Sequence, residues 1–239
     1  MQALNGDEKG YNIILEWFGH SCFTIDINGI YLYLDPVRKN PLICTTLEPR
    51  KNMNANAILV SHEHWDHFDA ETILALGSSQ TKIFCPNPVA NSLEHRLTFE
   101  ASNLKELKNL SVRIKPLKSE DVIQLDVLKI KCLEASEGLS FLIFFRDYKI
   151  LFMGDSVATD EMIKEKPDVI LFPVWAVKGE EAKLKEFLEL AKESLCIPMH
   201  YHTSQDALPN FYIESEELFR LLPKNIRIEV IERNIPFQI

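Results

Sequence analysis

The sequence predicts an α+β protein in which two β-sheets pack together with helices on the outside. Three observations predict it. The chain opens on strand-like segments rich in β-branched and aromatic residues. It then passes to alternating strand and helix patterns, and it runs through this progression twice. No repeat, low-complexity stretch or polar linker interrupts it, so residues 1–239 read as a single domain.

The elements follow in order. "YNIILEWF", "SCFTIDI" and "IYLYLD" read as strands, punctuated by Gly19 and by the turn pair Asn28-Gly29. "NAILVS" is a short apolar run and reads as a buried strand. "DAETILALG" reads as a helix ended by Gly77, "KIFCP" as a strand and "PVANSLEHRL" as a short helix. A second strand-rich block comprises "VRIKPL", "DVIQLD", "LKIKCLEA", "LSFLIFFR" and "YKILFMGD". The period then changes. "TDEMIKEK" and "EEAKLKEFLELAKES" read as helices alternating with the buried strands "DVILFPV" and "LCIPMH". "ESEELFRLLP" is a last helix and "IRIEVIE" a last strand.

The formal net charge of -9 provides no general field for phosphate backbones or anionic lipid. Nucleic acid and membrane are therefore not expected partners. The basic stretches "VRKN" and "EPRKN" read as solvated loop. The five cysteines are scattered and never form a Cys-x-x-Cys pair, which suits small buried hydrophobes in a reducing compartment. The N-terminus lacks the basic-then-apolar order of a signal peptide, and the longest apolar runs fall far short of a membrane span. A cytoplasmic protein is expected.

Residues 60 to 69, "VSHEHWDHFD", hold three of the seven histidines. In extended backbone, residues i and i+2 project to one side, so His62 and His64 can converge on one ion. Asp66 and His67 follow as the chain turns and can reach a second ion close by. Imidazole and carboxylate suit zinc, and also manganese or iron. Glu63 and Trp65 point away in this picture, as packing or supporting residues.

A strand leading into "SHEHWDH" resembles the signature of the metallo-β-lactamase fold superfamily. "WFGHSCFTID", "LDP", "MGDS" and "IPMHYHT" resemble, more narrowly, its L-ascorbate-6-phosphate lactonase-like branch of metal-dependent hydrolases. The resemblance runs from His20 to His200 in the family's motif order. It implies a four-layer αββα sandwich of two mixed sheets, with the metals at one edge. It also implies that His62 and His64 hold a first metal, that Asp66 and His67 hold a second, and that Asp155 bridges them. His200 is the late ligand of the second metal, with His202 as its substitute.

One departure stands out. The family supplies a further histidine to the first metal just before the strand leading to the bridging aspartate. Here that region reads "CLEASEGLSFLIFF" and has none. Glu137, or else Glu134, could replace it with a carboxylate suited to a harder metal; both could equally be solvated. His20 and Asp35 match other family positions near the pocket. His20 could orient a ligand, touch substrate or be a core histidine, and Asp35 could fix the tautomer of a ligand imidazole or cap a turn. His95 reads as structural or exposed. Trp175 and Lys178 follow a strand near "MGDS"; Trp175 reads as core and Lys178 as solvated, with substrate contact as the alternative for each.

The expected activity is metal-dependent hydrolysis of a small ester, lactone or phosphate compound, with an anionic substrate favoured by the resemblance. Two zinc ions are expected, with manganese or iron as alternatives, and Asp66 as a proton-handling group. A non-catalytic binding module and a di-iron redox protein remain alternatives, and a homo-oligomer stays open.

Overall fold

The computed structural model describes residues 12–48, 55–100, 113–175, 181–201, 220 and 222–239, the side chains of 94–100 and 181–184 excepted. Two seven-stranded sheets form the frame. The first contains β1 (Ile13–Trp17), β2 (Phe23–Ile27), β3 (Ile30–Leu34), β4 (Ala57–Leu59), β5 (Lys82–Pro86) and β6 (Ile114–Leu117) in sequential order. β1 to β3 pair antiparallel, and β3 to β6 pair parallel. The second contains β7 (Val122–Leu125), β8 (Leu128–Glu134), β9 (Leu139–Phe145), β10 (Tyr148–Phe152), β11 (Val169–Pro173), β12 (Leu195–Met199) and β13 (Arg227–Ile228). It repeats the plan: β7 to β10 antiparallel, then β10 to β13 parallel. β14 (Phe237–Gln238) returns to pair with β1.

Side-chain alternation decides what faces what. In β4 and β5, Ala57, Leu59 and Phe84 join the core between the sheets, where Phe141, Ile143, Phe152 and Leu171 of the second sheet also lie. The intervening Ile58, Ile83 and Cys85 point the other way. They pack under α1 (Ala70–Leu76) and α2 (Asn87–Glu100), against Ile73, Leu76, Val89 and Leu93. α3 (Asp160–Glu165) and α4 (Glu181–Leu190) cover the second sheet through Met162, Phe187 and Leu188. β11 and β12 are buried at every position, as parallel strands covered on both faces must be. The order is helix, sheet, sheet, helix: the expected αββα sandwich of two mixed sheets.

Local signals account for the joints. Asn28 and Gly29 both take positive φ, as the turn of the β2–β3 hairpin requires. Asp69 caps α1 by accepting from the Glu71 amide, and Gly77 ends it with its N–H on the Ile73 carbonyl. Three readings need correction. "VRIKPL" supplies β6, the edge of the first sheet rather than the start of the second, because its pairing with β5 is non-local. Of "IRIEVIE" only Arg227–Ile228 forms a strand, and β14 was not foreseen in a segment as short as "PFQI". The expected helix "ESEELFRLLP" lies mostly outside the described residues.

At one end the two sheets are tied by backbone. The Leu139 amide donates to the Ser61 carbonyl at 3.0 Å, and the His200 amide to the His20 carbonyl at 3.1 Å. Gly138 makes the first tie possible. Its φ is +66°, and a Cβ there would lie 2.1 Å from the Ser61 oxygen and 2.7 Å from His62 Cβ.

Gly138→Ala is therefore expected to destabilise the fold by at least about 1–3 kcal/mol, the scale of backbone strain at such a position. Thermal unfolding checks this, and an unchanged midpoint would mean the sheets can part there at no cost. The cysteines give a second expectation. Burial pushes the Cys22, Cys85, Cys132 and Cys196 thiols up to about 12, whereas Cys44 is partly exposed. Since the thiolate is the nucleophile, a chromogenic disulfide at pH 8 should titrate Cys44 rapidly and the other four only after unfolding.

Candidate metal centre

The tied end is also where the carboxyl ends of β3, β4, β10 and β12 meet, which is where open α/β sheets place their ligands. β3 runs out into Asp35, fully buried, with φ at +42°. Its backbone amide still pairs with the Leu59 carbonyl, so the β3–β4 register sets its position. β4 runs out through Val60 and Ser61 into the histidine segment. There the His67 and Phe68 amides both donate to the His64 carbonyl and close a turn before the Asp69 cap. Beyond β10, Gly154 takes positive φ and leads to Asp155; beyond β12, His200 does the same with φ at +61°.

The side chains gather into two groups. In one, the His62 and His64 rings lie 3.6 and 3.0 Å from the Glu137 carboxylate. In the other, Asp66 faces His20 Nε2 at 3.0 Å, His200 Nε2 at 3.6 Å and His67 Nε2 at 3.9 Å. Asp155 stands beside that second group, 3.2 Å from His67 Nε2 and 3.3 Å from His200 Nε2. Two ligand atoms on one tetrahedral zinc, each about 2.0–2.2 Å from it, are about 3.3–3.6 Å apart. The spacings here, from 3.0 to 3.9 Å, bracket that edge.

The polar bookkeeping points the same way. His62 Nε2, His67 Nε2 and Asp155 Oδ1 are buried outside hydrogen-bond geometry, the last two facing each other at 3.2 Å. Buried polar atoms are normally partnered, so these lone pairs call for a cation. The residues present therefore fit a divalent metal.

Asp35 lies behind them. Its carboxylate accepts from the Ser61 amide at 2.7 Å and from the Ser61 hydroxyl at 2.6 Å, and sits 2.7 Å from His67 Nδ1. A hydrogen on Nδ1 leaves Nε2 as the free nitrogen facing Asp155. The charges are strongly coupled. Burial pushes the His20 imidazole down to about 3 and His62 to about 4, helped by the neighbouring rings His200 and His67. Burial also acts against charge on His67 and His200, but the adjacent Asp155 wins and holds both above the usual imidazole range. Burial alone would raise Asp66 and Asp155. The hydrogen bond from His20 and the nearby His200 ring pull Asp66 down, and the charges of His67 and His200 hold Asp155 well below the carboxylate range.

The sequence-derived residues sort as follows. His62 and His64 come together with Glu137, while Glu134 is exposed at the end of β8, outside both groups. Asp66, His67 and His200 come together, and His20 joins them through Asp66. Asp155 touches His67 and His200 directly and reaches His62 only as a nearby charge. His202, Lys178 and the His95 side chain lie outside the described residues. Trp65 does not pack inward: it is half exposed, and with Trp175 it flanks a cavity of about 600 Å³ over Asp66, Glu137 and Asp155. Glu63 is exposed. Ser61 had not been singled out; its only sequence signal is a polar residue ending a buried apolar strand.

The family described as a Beta-lactamase superfamily domain matches residues 14–200. A Pyrobaculum neutrophilum protein described as a UPF0173 metal-dependent hydrolase is 28% identical over 202 residues, covering 79% of this chain and 84% of the relative. Igni18, a metallo hydrolase from Ignicoccus hospitalis, superposes with a TM-score of 0.73 at 20% identity, covering 95% of this chain and 98% of Igni18. CmlA, a diiron β-hydroxylase from Streptomyces venezuelae, gives a TM-score of 0.59 at 14% identity, and this chain spans 54% of it. At such identities the structural likenesses carry the fold alone. With most of its length matched and its two sheets arranged in this way, the chain belongs to the β-lactamase superfamily domain family and has the metallo-β-lactamase fold.

Proposed function

We propose that the chain is a single-domain, metal-dependent hydrolase acting on a small ester, lactone or phosphate-containing substrate. The observation that carries this is the set of buried, unpartnered imidazole and carboxylate atoms gathered under an open cavity. The name of the Pyrobaculum relative supports it.

His62, His64 and Glu137 would hold a first ion and Asp66, His67 and His200 a second, with Asp155 as a further ligand beside His67 and His200. Zinc fits this all-nitrogen-and-oxygen set, and manganese and iron fit it too. Bound there, divalent ions would lower the pKa of a water toward ~7, polarise the oxygen under attack and draw an anionic substrate. Asp66 takes the proton from the attacking water and passes it to the leaving group. Its support is a carboxylate that opens onto the cavity and is backed by His20. Asp35 keeps His67 in the tautomer that presents Nε2. Trp65 and Trp175 bound the substrate from either side. A small anionic ester or phosphate compound is favoured by the likeness of the His20, Asp155 and His200 segments to the lactonase branch, and the cavity is of the size small-molecule sites take.

Glu137 fills the place of the missing histidine, which removes the main ground for a non-catalytic member. A di-iron redox role is the competing chemistry, since the same donors suit iron.

Elemental analysis of protein purified without chelator, and again after supply of zinc, manganese or iron, is expected to give two equivalents per chain. Glu137→Gln should leave one tight equivalent and weaken the other by more than ~100-fold, beyond the 10–100-fold typical of outer partners. Hydrolysis of a lactone and of aryl ester and phosphate probes should vanish on chelation and return with metal. No metal under any supply would sink the hydrolase reading, and iron with a visible absorption band but no hydrolysis would favour redox chemistry.

A further inference from the structure

We propose that Ser61 is a positioning residue for the first metal site: its hydroxyl links Asp35 to His62, so that one buried carboxylate sets the free ring nitrogen of a ligand in each half of the centre. The inference rests on His62 being a ligand, but not on the reaction.

Counting hydrogens makes the argument. The Ser61 hydroxyl lies 2.6 Å from Asp35 Oδ2 and 2.9 Å from His62 Nδ1. A carboxylate has no hydrogen to offer, so the single hydroxyl hydrogen goes to Asp35. Ser61 Oγ must then accept from His62, which puts the ring hydrogen on Nδ1. That leaves the lone pair on Nε2, the atom that is buried, unpartnered and 3.6 Å from Glu137. Asp35 Oδ2 also lies 2.7 Å from His67 Nδ1 and frees His67 Nε2 in the same way. The chain His67–Asp35–Ser61–His62 therefore runs behind both metal groups, and its ends present equivalent nitrogens to different ions.

The setting leaves little freedom. Ser61 is fully buried, its amide is held by Asp35 Oδ1 at 2.7 Å, and its carbonyl is held by the Leu139 amide. A Cβ at Gly154 would come within 2.9 Å of Ser61 Cβ. A small side chain is needed there, which alanine would satisfy equally well. The hydroxyl is what sterics do not explain.

Ser61→Ala removes it without adding volume. In metal-free protein at pH 7.5, nitrogen-15 NMR of the imidazole rings should find the His62 hydrogen on Nδ1, with the signal assigned by its loss in His62→Gln. In Ser61→Ala that preference should disappear. In zinc titrations the variant should bind one of two equivalents about 10–100-fold more weakly, the scale for losing an outer partner. The other equivalent should stay within about threefold. Asp35→Asn should weaken both equivalents if it folds, and Ser61→Ala decides the question alone if it does not. A wild-type His62 hydrogen on Nε2, or an unchanged tautomer and two wild-type zinc affinities in Ser61→Ala, would overturn the proposal. Absence of zinc binding in the wild type would count against the hydrolase, while the tautomer measurement would still decide the role of Ser61.

Discussion

A carboxylate that is fully buried must be surrounded by donors, or it costs several kcal/mol or more. Asp35 is such a group, and the site is organised around it. Its donors come from the end of β4, through the Ser61 amide and hydroxyl, and from the turn before α1, through His67. Three pieces of chain are thereby fixed by two oxygen atoms. The arrangement is available only because β3 and β4 pair in a register that sets Leu34 against Leu59 and brings the Asp35 amide to the Leu59 carbonyl. A one-residue slip would turn every side chain of β4 to the opposite face and carry the histidine segment away.

That local order would be of little use without closure of the second sheet. Glu137, Asp155 and His200 all come from it, and two backbone hydrogen bonds bring its ends against Ser61 and His20. Closure is not free. His20, Asp35 and His200 are non-glycine residues at positive φ, each costing of order 1–3 kcal/mol. The large apolar core between the sheets holds the geometry against that strain. Each Phe or Leu fully buried there contributes about 1.5–3 kcal/mol. Strained backbone at the chemical end and ordinary packing elsewhere is the division of labour expected of a rigid scaffold carrying a site.

The contrast between what was readable and what was not follows from distance along the chain. His62, His64, Asp66 and His67 fall within one strand-to-turn segment, so spacing alone suggested their convergence. Asp155 and His200 were suggested by resemblance and by their position after apolar strands. Glu137 could be proposed only from an absence; both glutamates are exposed, and only the structure shows that Glu137 alone reaches His62 and His64. The His20–Asp66 pair, 46 positions apart, depends on how the loop after β1 meets the loop after β4. Sequence periodicity has no access to that. Strand identity survived for the same reason that sheet membership failed for β6: alternation is local, and pairing is not.

The electrostatic pattern gives the site a consequence for the whole fold. Asp66, Asp155 and Glu137 converge at one cavity, and His67 and His200 are held above the ordinary imidazole range by the carboxylate between them. Protons on those rings occupy the lone pairs that a cation would use, so metal entry releases protons and trades two weak partners for one strong one. An ion bound by the folded chain alone stabilises it by mass action, in proportion to the logarithm of its concentration over its dissociation constant. The strain at His20, Asp35 and His200 would then be held jointly by the hydrophobic core from behind and by bound metal in front. Geometry and metal occupancy become two expressions of the same equilibrium.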